Sequence, residues 1–409
     1  MKMRSIACCT LAIAVAVLAA CGRGGDDGIR LTGWVSSPVE DDLVREMVSD
    51  FSEANPDINL KYHPIQANYP QKLQLMLGTN TAPEVFMLEA FWAPSMINYD
   101  VLAPINDFVE ADQNFDVEDF EPALLAAFQK DGQLFGIPKD YSTLALFYNP
   151  AMFAEAGFDR PPQNWVELEQ YAEALSVDTD GDGQPDRYGL GVDPSLEYLL
   201  PFIWQNGGDI LDEDGKFDAD NPEMIAAIEW LQSLKQKGWL GHSTDVGGAW
   251  NMDGYGRERF AMALSGNWAV NFMDDTFPNT PYEVAELPAG RERASIAYIV
   301  GYVMPKDLSE PDQAWALLSY LTDKAGQERW VESGIALPPR RSIAERANLE
   351  ADPKAAAFVN SAAYARTWQV GTNQRVLDEA ETMLQSVFLL DRPVEDSLER
   401  MRRRLEKAR

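Results

Sequence analysis

The chain has 409 residues, with 65 acidic against 34 basic side chains and a formal net charge of −31. A field of that sign repels nucleic acid and argues against docking on anionic lipid, so a nucleic-acid partner is set aside. Hydrophobic residues make up 46% of the chain, enough for an ample core, and after the N-terminal leader no long uncharged apolar run suggests a membrane span.

Residues 1–20 read as an export signal peptide. Lys2 and Arg4 give a basic start, residues 6–17 supply a short apolar stretch, and Leu18-Ala19-Ala20-Cys21 closes it with small residues ahead of a cysteine. A spanning helix needs about 20 apolar residues, so cleavage is the better reading. The tetrapeptide resembles the lipobox of bacterial lipoproteins, which implies a diacylglycerol on Cys21 and a membrane-anchored, extracytoplasmic protein. An ordinary signal peptide with an accidental cysteine is the alternative. Cys8 and Cys9 leave with the leader, so Cys21 has no intramolecular disulfide partner. Residues 21–28, rich in glycine and aspartate, form a flexible tether.

The body begins with alternating strands and helices. Residues 29–35 read as a strand. Ser36-Ser37-Pro38 opens a helix in which Leu43, Met47, Val48 and Phe51 recur at helical spacing, and Asn55-Pro56-Asp57 stops it. Residues 58–62, 69–77 and 83–88 continue as strand, helix and strand. A βαβαβ run predicts a parallel sheet whose ligands bind outside the carboxyl ends of the strands. Trp34 and the segment from Glu89 to Trp92 then stand at one lip of a cleft. A hairpin follows at residues 131–140, then a strand over 144–148 and a helix from Asn149-Pro150.

Here the chain resembles the family 1 extracellular solute-binding proteins of ABC importers, the group that contains maltose-binding protein. Pro138, Asp140, Ala145, Leu146, Phe147, Tyr148, Asn149, Phe153 and Glu155 fill the family signature in order, and Lys139 departs from it, standing where an apolar residue is expected. The likeness continues through Trp204 to Asp209 and Asp212 to Lys216, resembling a second-lobe strand and turn. It goes on through a helix at 222–237, the small-Gly-x-Trp element of residues 263–269, Gly301-Tyr302-Val303-Met304-Pro305 before a helix at 311–322, and residues 334–340.

The resemblance implies an α/β, two-lobed periplasmic-binding-protein fold of type II. Each lobe is a sheet flanked by helices, with three hinge crossings near Leu144, Glu286 and Leu337. Lobe I comprises 29–143 plus 287–336, and lobe II comprises 144–286 plus 337–409. A chain of roughly 380 residues after the tether also exceeds what one core organises, which favours two lobes independently.

Aromatic faces match the apolar C–H surface of a pyranose, while carboxylates, amides and guanidinium groups take its hydroxyls. Of the 11 tryptophans, Trp34, Trp92, Trp204, Trp250, Trp268 and Trp368 sit near strand ends, turns or glycine-rich bends. Trp230 and Trp315, at helical spacing among apolar neighbours, read as core. The resemblance assigns sugar stacking to Trp268 after Asn267 and hydrogen bonding to Glu89. It also points to Asp140, Tyr141 and Ser142, to Tyr302, and to Arg340, which could grip a hydroxyl or carboxylate or be an ordinary loop arginine.

Residues 178–186 carry Asp178, Asp180, Asp182 and Asp186 around Gly183, reproducing positions 1, 3, 5, 6 and 9 of a calcium loop. Position 12 is Gly189, where a bidentate glutamate belongs, so a metal-free turn and a weak structural calcium both remain open. Two histidines far apart, no Gly-x-Ser-x-Gly elbow and no Walker loop offer little catalytic apparatus, although a carboxylate pair of glycosidase type cannot be dismissed by counting acids. The expectation is a monomeric, non-enzymatic lipoprotein that captures a mono- or oligosaccharide and hands it to the transmembrane subunits of an ABC permease, with no cofactor required. A polyol or glycerophosphodiester receptor, an exported polysaccharide-acting enzyme and a surface scaffold are the alternatives.

Overall fold

The computed structural model describes residues 28–35, 38–212, 215–334, 337–367 and 374–407. The leader, Cys21 and Trp368 lie outside them. Strands β1 (Ile29–Thr32), β2 (Leu60–Tyr62) and β3 (Val85–Glu89) pair in parallel in the order β3-β1-β2, joined by the helices Pro38–Ala54 and Tyr69–Gly78. The first helix buries Val44, Met47 and Phe51 on one face, as its periodicity requires. The hairpin β4 (Gln129–Lys130) and β5 (Gln133–Leu134) leads into β6 (Gly136–Thr143), which is buried along its whole length.

Leu144 alone separates β6 from β7 (Ala145–Tyr148), yet the two strands belong to different sheets. Beyond β7, Asn149 caps the helix Pro150–Ala156 by accepting from the amides of Ala151 and Met152. Strands β8 (Tyr188–Gly191), β9 (Leu240–Gly241), β10 (Phe260–Ser265) and β11 (Glu283–Ala285) complete the second sheet in the order β11-β7-β10-β8-β9. Strand β12 (Ser295–Val303) returns to the first sheet, where it runs antiparallel to both β3 and β6 and parallel to β13 (Ala365–Arg366). At the return, Glu286 and Arg293 form an ion pair, and the Tyr364 hydroxyl donates to Glu286 at 2.5 Å.

Two apolar cores result. One packs the first sheet between its helices and reaches one face of β7 and β10, with Phe358 against Phe147 at 6.1 Å. The other lies on the opposite face of β7 and β10, under the helices Trp165–Leu175, Leu196–Gln205 and Pro222–Gln236 and the C-terminal helices Gln374–Phe388 and Val394–Glu406. Trp230 stacks on Trp165 at 4.3 Å, and Trp315 packs on Phe108 and Phe115, so both are core residues.

The expected last crossing at Leu337 is displaced. Leu337 exchanges both backbone hydrogen bonds with Tyr141 and so forms the far edge of β6, while β13 joins the first sheet at β12. Residues 337–367 therefore keep largely to the first body or to its joint, and the second body receives the C-terminal chain from residue 374 onward. The expected strand at Trp204 is instead the end of a helix, with a single bridge between Leu211 and Phe217 forming the turn beyond it.

Arg340 explains why the chain stays with the first body. Its guanidinium is 1% exposed, donates to the carbonyls of Thr322 (2.8 Å) and Asp116 (2.7 Å), pairs with Asp119 and lies over the rings of Phe115 and Phe120. It clamps the fold from within the core, with its donors spent on internal partners. Arg340→Ala is expected to cost about 3 kcal/mol or more in urea unfolding, because the Thr322 and Asp116 carbonyls lose their donor and Asp119 a cation in a dry site. Ligand affinity of the folded protein should not change, and a stable variant that loses its ligand would restore the ligand-gripping role.

Candidate functional site

A cleft of about 280 Å³ opens where the two sheets meet, lined by Trp34, Glu40, Glu89, Lys139, Asp140, Tyr141, Ser142, Glu197, Asn267, Trp268, Tyr298 and Val300. Sheet register accounts for much of this set. Glu89, the last residue of β3, pairs across β12 with Val300, and Val300 pairs on its other side with Asp140 of β6. The two carboxylates stand in one cross-strand row, about 10 Å apart by strand spacing. Trp34 follows β1 and packs edge-on to Tyr69 at 5.2 Å. Trp92 lines an adjoining hollow of about 230 Å³ that shares Trp34 and Glu89 with the cleft.

The opposite wall comes from the second sheet. After β10 the Asn267 amide donates to the Ser142 hydroxyl at 3.0 Å, a direct link between the two bodies. Trp268 then meets Tyr298 of β12 edge-on at 5.1 Å. Gly266 makes this possible, since the indole folds back over it and a Cβ there would come within 2.2 Å of the ring. Glu197 enters from the first turn of the helix Leu196–Gln205.

The signature mismatch at Lys139 has a structural cause. On β6, Asp140 pairs with Val300 and Pro138 with Gly301, which leaves Lys139 as the extra residue of a β-bulge. Pro138 has no N–H to lose there. In a regular strand consecutive side chains point to opposite faces. The bulge lets Lys139 and Asp140 meet on one side, where the 2% exposed ammonium pairs with Asp140, lies 3.6 Å from Glu40 and sits 3.8 Å above the Trp330 ring.

The remaining acids have no such partner. Burial pushes the Glu89 carboxyl up from 4.5 to about 7, and the nearby charges of Glu197 and Asp140 add to the shift. Burial likewise raises Glu197 to about 7, helped by Glu381 behind it, although water reaches the Glu197 side chain at the cleft. Asp140 is raised by burial as well, with Lys139 opposing.

Of the residues expected from sequence, Trp34, Glu89, Asp140, Tyr141, Ser142, Asn267 and Trp268 border the cleft and Trp92 its annex. The Tyr141 phenol is raised to about 12 by burial and by Glu121, which lines a separate cavity of about 530 Å³ that Tyr141 also borders. Three of the expected residues lie outside the lining of the cleft. Trp204 is 1% exposed, with its indole N–H on Asp209 at 3.2 Å. Trp250 rests on Phe272 at 4.8 Å, apart from the cleft lining. Tyr302, two residues past Val300 and beyond the bulge, is fully buried beneath the cleft, its hydroxyl without a hydrogen-bond partner among the described residues. Sequence reasoning missed Glu40, Glu197 and Tyr298. Lys139 had been marked only as a departure.

In the acidic loop, carboxylate oxygens of Asp178, Asp180 and Asp182 lie within 4.8 Å of one another and could form one corner of a cation site. Asp186 is turned away and accepts from Thr179 instead. A side chain at Gly189 would strike the Ala172 carbonyl at 2.0 Å, so helix packing forbids a glutamate at the twelfth position. No helix among the described residues is long and apolar enough to cross a membrane.

Two measurements follow from the cleft charges. Lys139→Met takes the ammonium away from Asp140 and Glu40 in a buried site, with an expected loss of about 3–5 kcal/mol in urea unfolding near neutral pH. A loss under about 1 kcal/mol would contradict the cluster. For Glu89, a carboxyl raised on folding contributes stability that is fully present below about 4.5 and is lost as pH rises through about 7. Glu89→Gln should therefore melt higher than the parent at about pH 8 and nearly level with it at about pH 4.5. A lower midpoint at the higher pH would sink this reading.

Comparison with known proteins agrees with this architecture. Residues 46–357 match the family described as bacterial extracellular solute-binding protein. An arabinooligosaccharide-binding protein of Halalkalibacterium halodurans is 24% identical over 345 residues, 78% of this chain and 74% of that one. An ABC substrate-binding protein from Listeria monocytogenes in complex with cycloalternan superposes with a TM-score of 0.84 at 22% identity, covering 93% of this chain and 98% of that one. UgpB from Mycobacterium tuberculosis in complex with glycerophosphocholine gives 0.82 at 22% identity, again with 93% and 98% coverage. The chain belongs to the bacterial extracellular solute-binding protein family, the extracytoplasmic ligand-capturing proteins of ABC transport.

Proposed function

We propose that the protein captures a mono- or oligosaccharide in the cleft between its two bodies and delivers it, chemically unchanged, to an ABC permease. The observation that carries this is one cleft lined by indoles from both sides, Trp34 from the first body and Trp268 from the second, around carboxylates able to accept hydroxyl hydrogen bonds. Similarity to an arabinooligosaccharide-binding protein and to a receptor in complex with cycloalternan supports the sugar class.

In this reading the bodies hinge about the Leu144 junction, the 286–294 segment and the chain near residue 367, and the ligand shifts the population toward closure. The Asn267–Ser142 hydrogen bond is a contact that closure would strengthen. Cys21 carries the lipid anchor, and the receptor works as a monomer outside the cytoplasmic membrane.

A glycerophosphodiester is the competing solute, given the likeness to a receptor in complex with glycerophosphocholine. Its phosphate would face Glu89, Glu197 and Asp140, and Lys139 already pairs with Asp140 and Glu40. A polysaccharide-acting enzyme would use the raised Glu89 carboxyl as an acid.

Tryptophan fluorescence and thermal shift against a carbohydrate panel, with product analysis of each hit, separate these readings. Intact sugar recovered after saturable binding is expected, and cleaved product would overturn capture. Trp268→Ala should weaken the hit by about tenfold or more. Unchanged affinity would remove the indole from the site.

A further inference from the structure

The cleft is short of positive charge. Glu40, Glu89, Asp140 and Glu197 line it, and Lys139 is the one cation among the described lining residues. The bulge commits that cation to Asp140 and Glu40 and seats it on Trp330. Glu89 and Glu197 line the same cleft from the two bodies, near enough for the charge of Glu197 to act on Glu89. Ser195 lies beside Glu197 and favours its ionised form, Glu381 behind it is a further acid that accepts from the Leu196 amide at 2.8 Å, and the Glu89 carboxylate has no partner among the described residues. The aromatic groups beside the two acids are Tyr298, Trp268 and Trp34.

A hydroxyl can donate to such a carboxylate but brings no charge to offset it, and closing the bodies over a neutral sugar would remove water from two acids with no cation beside them. An ammonium supplies up to three donors and the missing charge together. Indole and phenol faces carry negative quadrupole density, which also attracts a cation.

We infer that the cleft is selective for a sugar bearing a free, protonated amine, seated on the Glu89 and Glu197 side with Trp268 and Tyr298 as its walls. This inference rests on the sugar-capture reading above and narrows it to one ligand class. N-acetylation would abolish the preference, because an acetamido group is uncharged.

The test is isothermal titration of the intact protein near neutral pH with matched sets: glucose, glucosamine and N-acetylglucosamine, the galactose and mannose equivalents, and the β-1,4 oligomers of the glucose set. In each set that binds, the amine member should be tighter than the hydroxyl and N-acetyl members by roughly tenfold or more. The double variant Glu89→Gln, Glu197→Gln, checked for folding by circular dichroism, should bring that ratio toward one. Hydroxyl or N-acetyl members binding as tightly as the amine would overturn amine selectivity and leave sugar capture standing. Binding by no member of any set would overturn both.

Discussion

The bulge at Lys139 is the constraint on which the site depends. One extra residue in β6 turns Lys139 and Asp140 to the same side, so the one lysine among the described lining residues is held by Asp140 and Glu40. Strand β6 also runs through Leu144 into the second sheet. Charge distribution and hinge geometry are thus set by one continuous stretch of backbone. A motion at Leu144 moves the Trp268 wall relative to Glu89 and Trp34 while the lysine cluster travels with the first body.

The site is held at an energetic disadvantage until it is filled. Burial raises the Glu89 carboxyl to about 7, with the charge of Glu197 adding to the shift, while Glu197, raised mainly by its own surroundings and by Glu381, keeps water at the cleft. Strain of this kind belongs to functional sites and is offset by packing elsewhere. The offset is visible in the two cores and in the buried Arg340 clamp, which fastens residues 337–340 to the first body. A ligand that donates to the two acids would ease that disadvantage, and in the proposed capture this would favour the closed arrangement.

Much of this could be read from the sequence because it follows local rules. The parallel βαβαβ run brings Trp34, Glu89 and Trp92 to strand ends at one lip, and a strand ending in Gly266-Asn267-Trp268 brings an indole to the other. The register of β12 explains what was not legible. Tyr298 and Glu197 reach the cleft only because distant strands and a helix pack together, and nothing local to either residue announces it. The opposite difference arose at Trp204, Tyr302 and Arg340. A large aromatic or an arginine beside a glycine or proline reads alike whether it faces a groove or fills a core, and burial separates the two. Lys139 was conspicuous as a mismatch, but a bulge cannot be inferred without the partner strand.

The most direct test of the central claim is a crystal structure of the protein with its captured solute. The account predicts ligand density between Trp34 and Trp268, with a donor atom within hydrogen-bond reach of the Glu89 carboxylate and Lys139 still on Asp140. A ligand seated in the cavity bounded by Glu121 and Tyr141 with the interbody cleft empty, or Lys139 released to grip an anion, would contradict it.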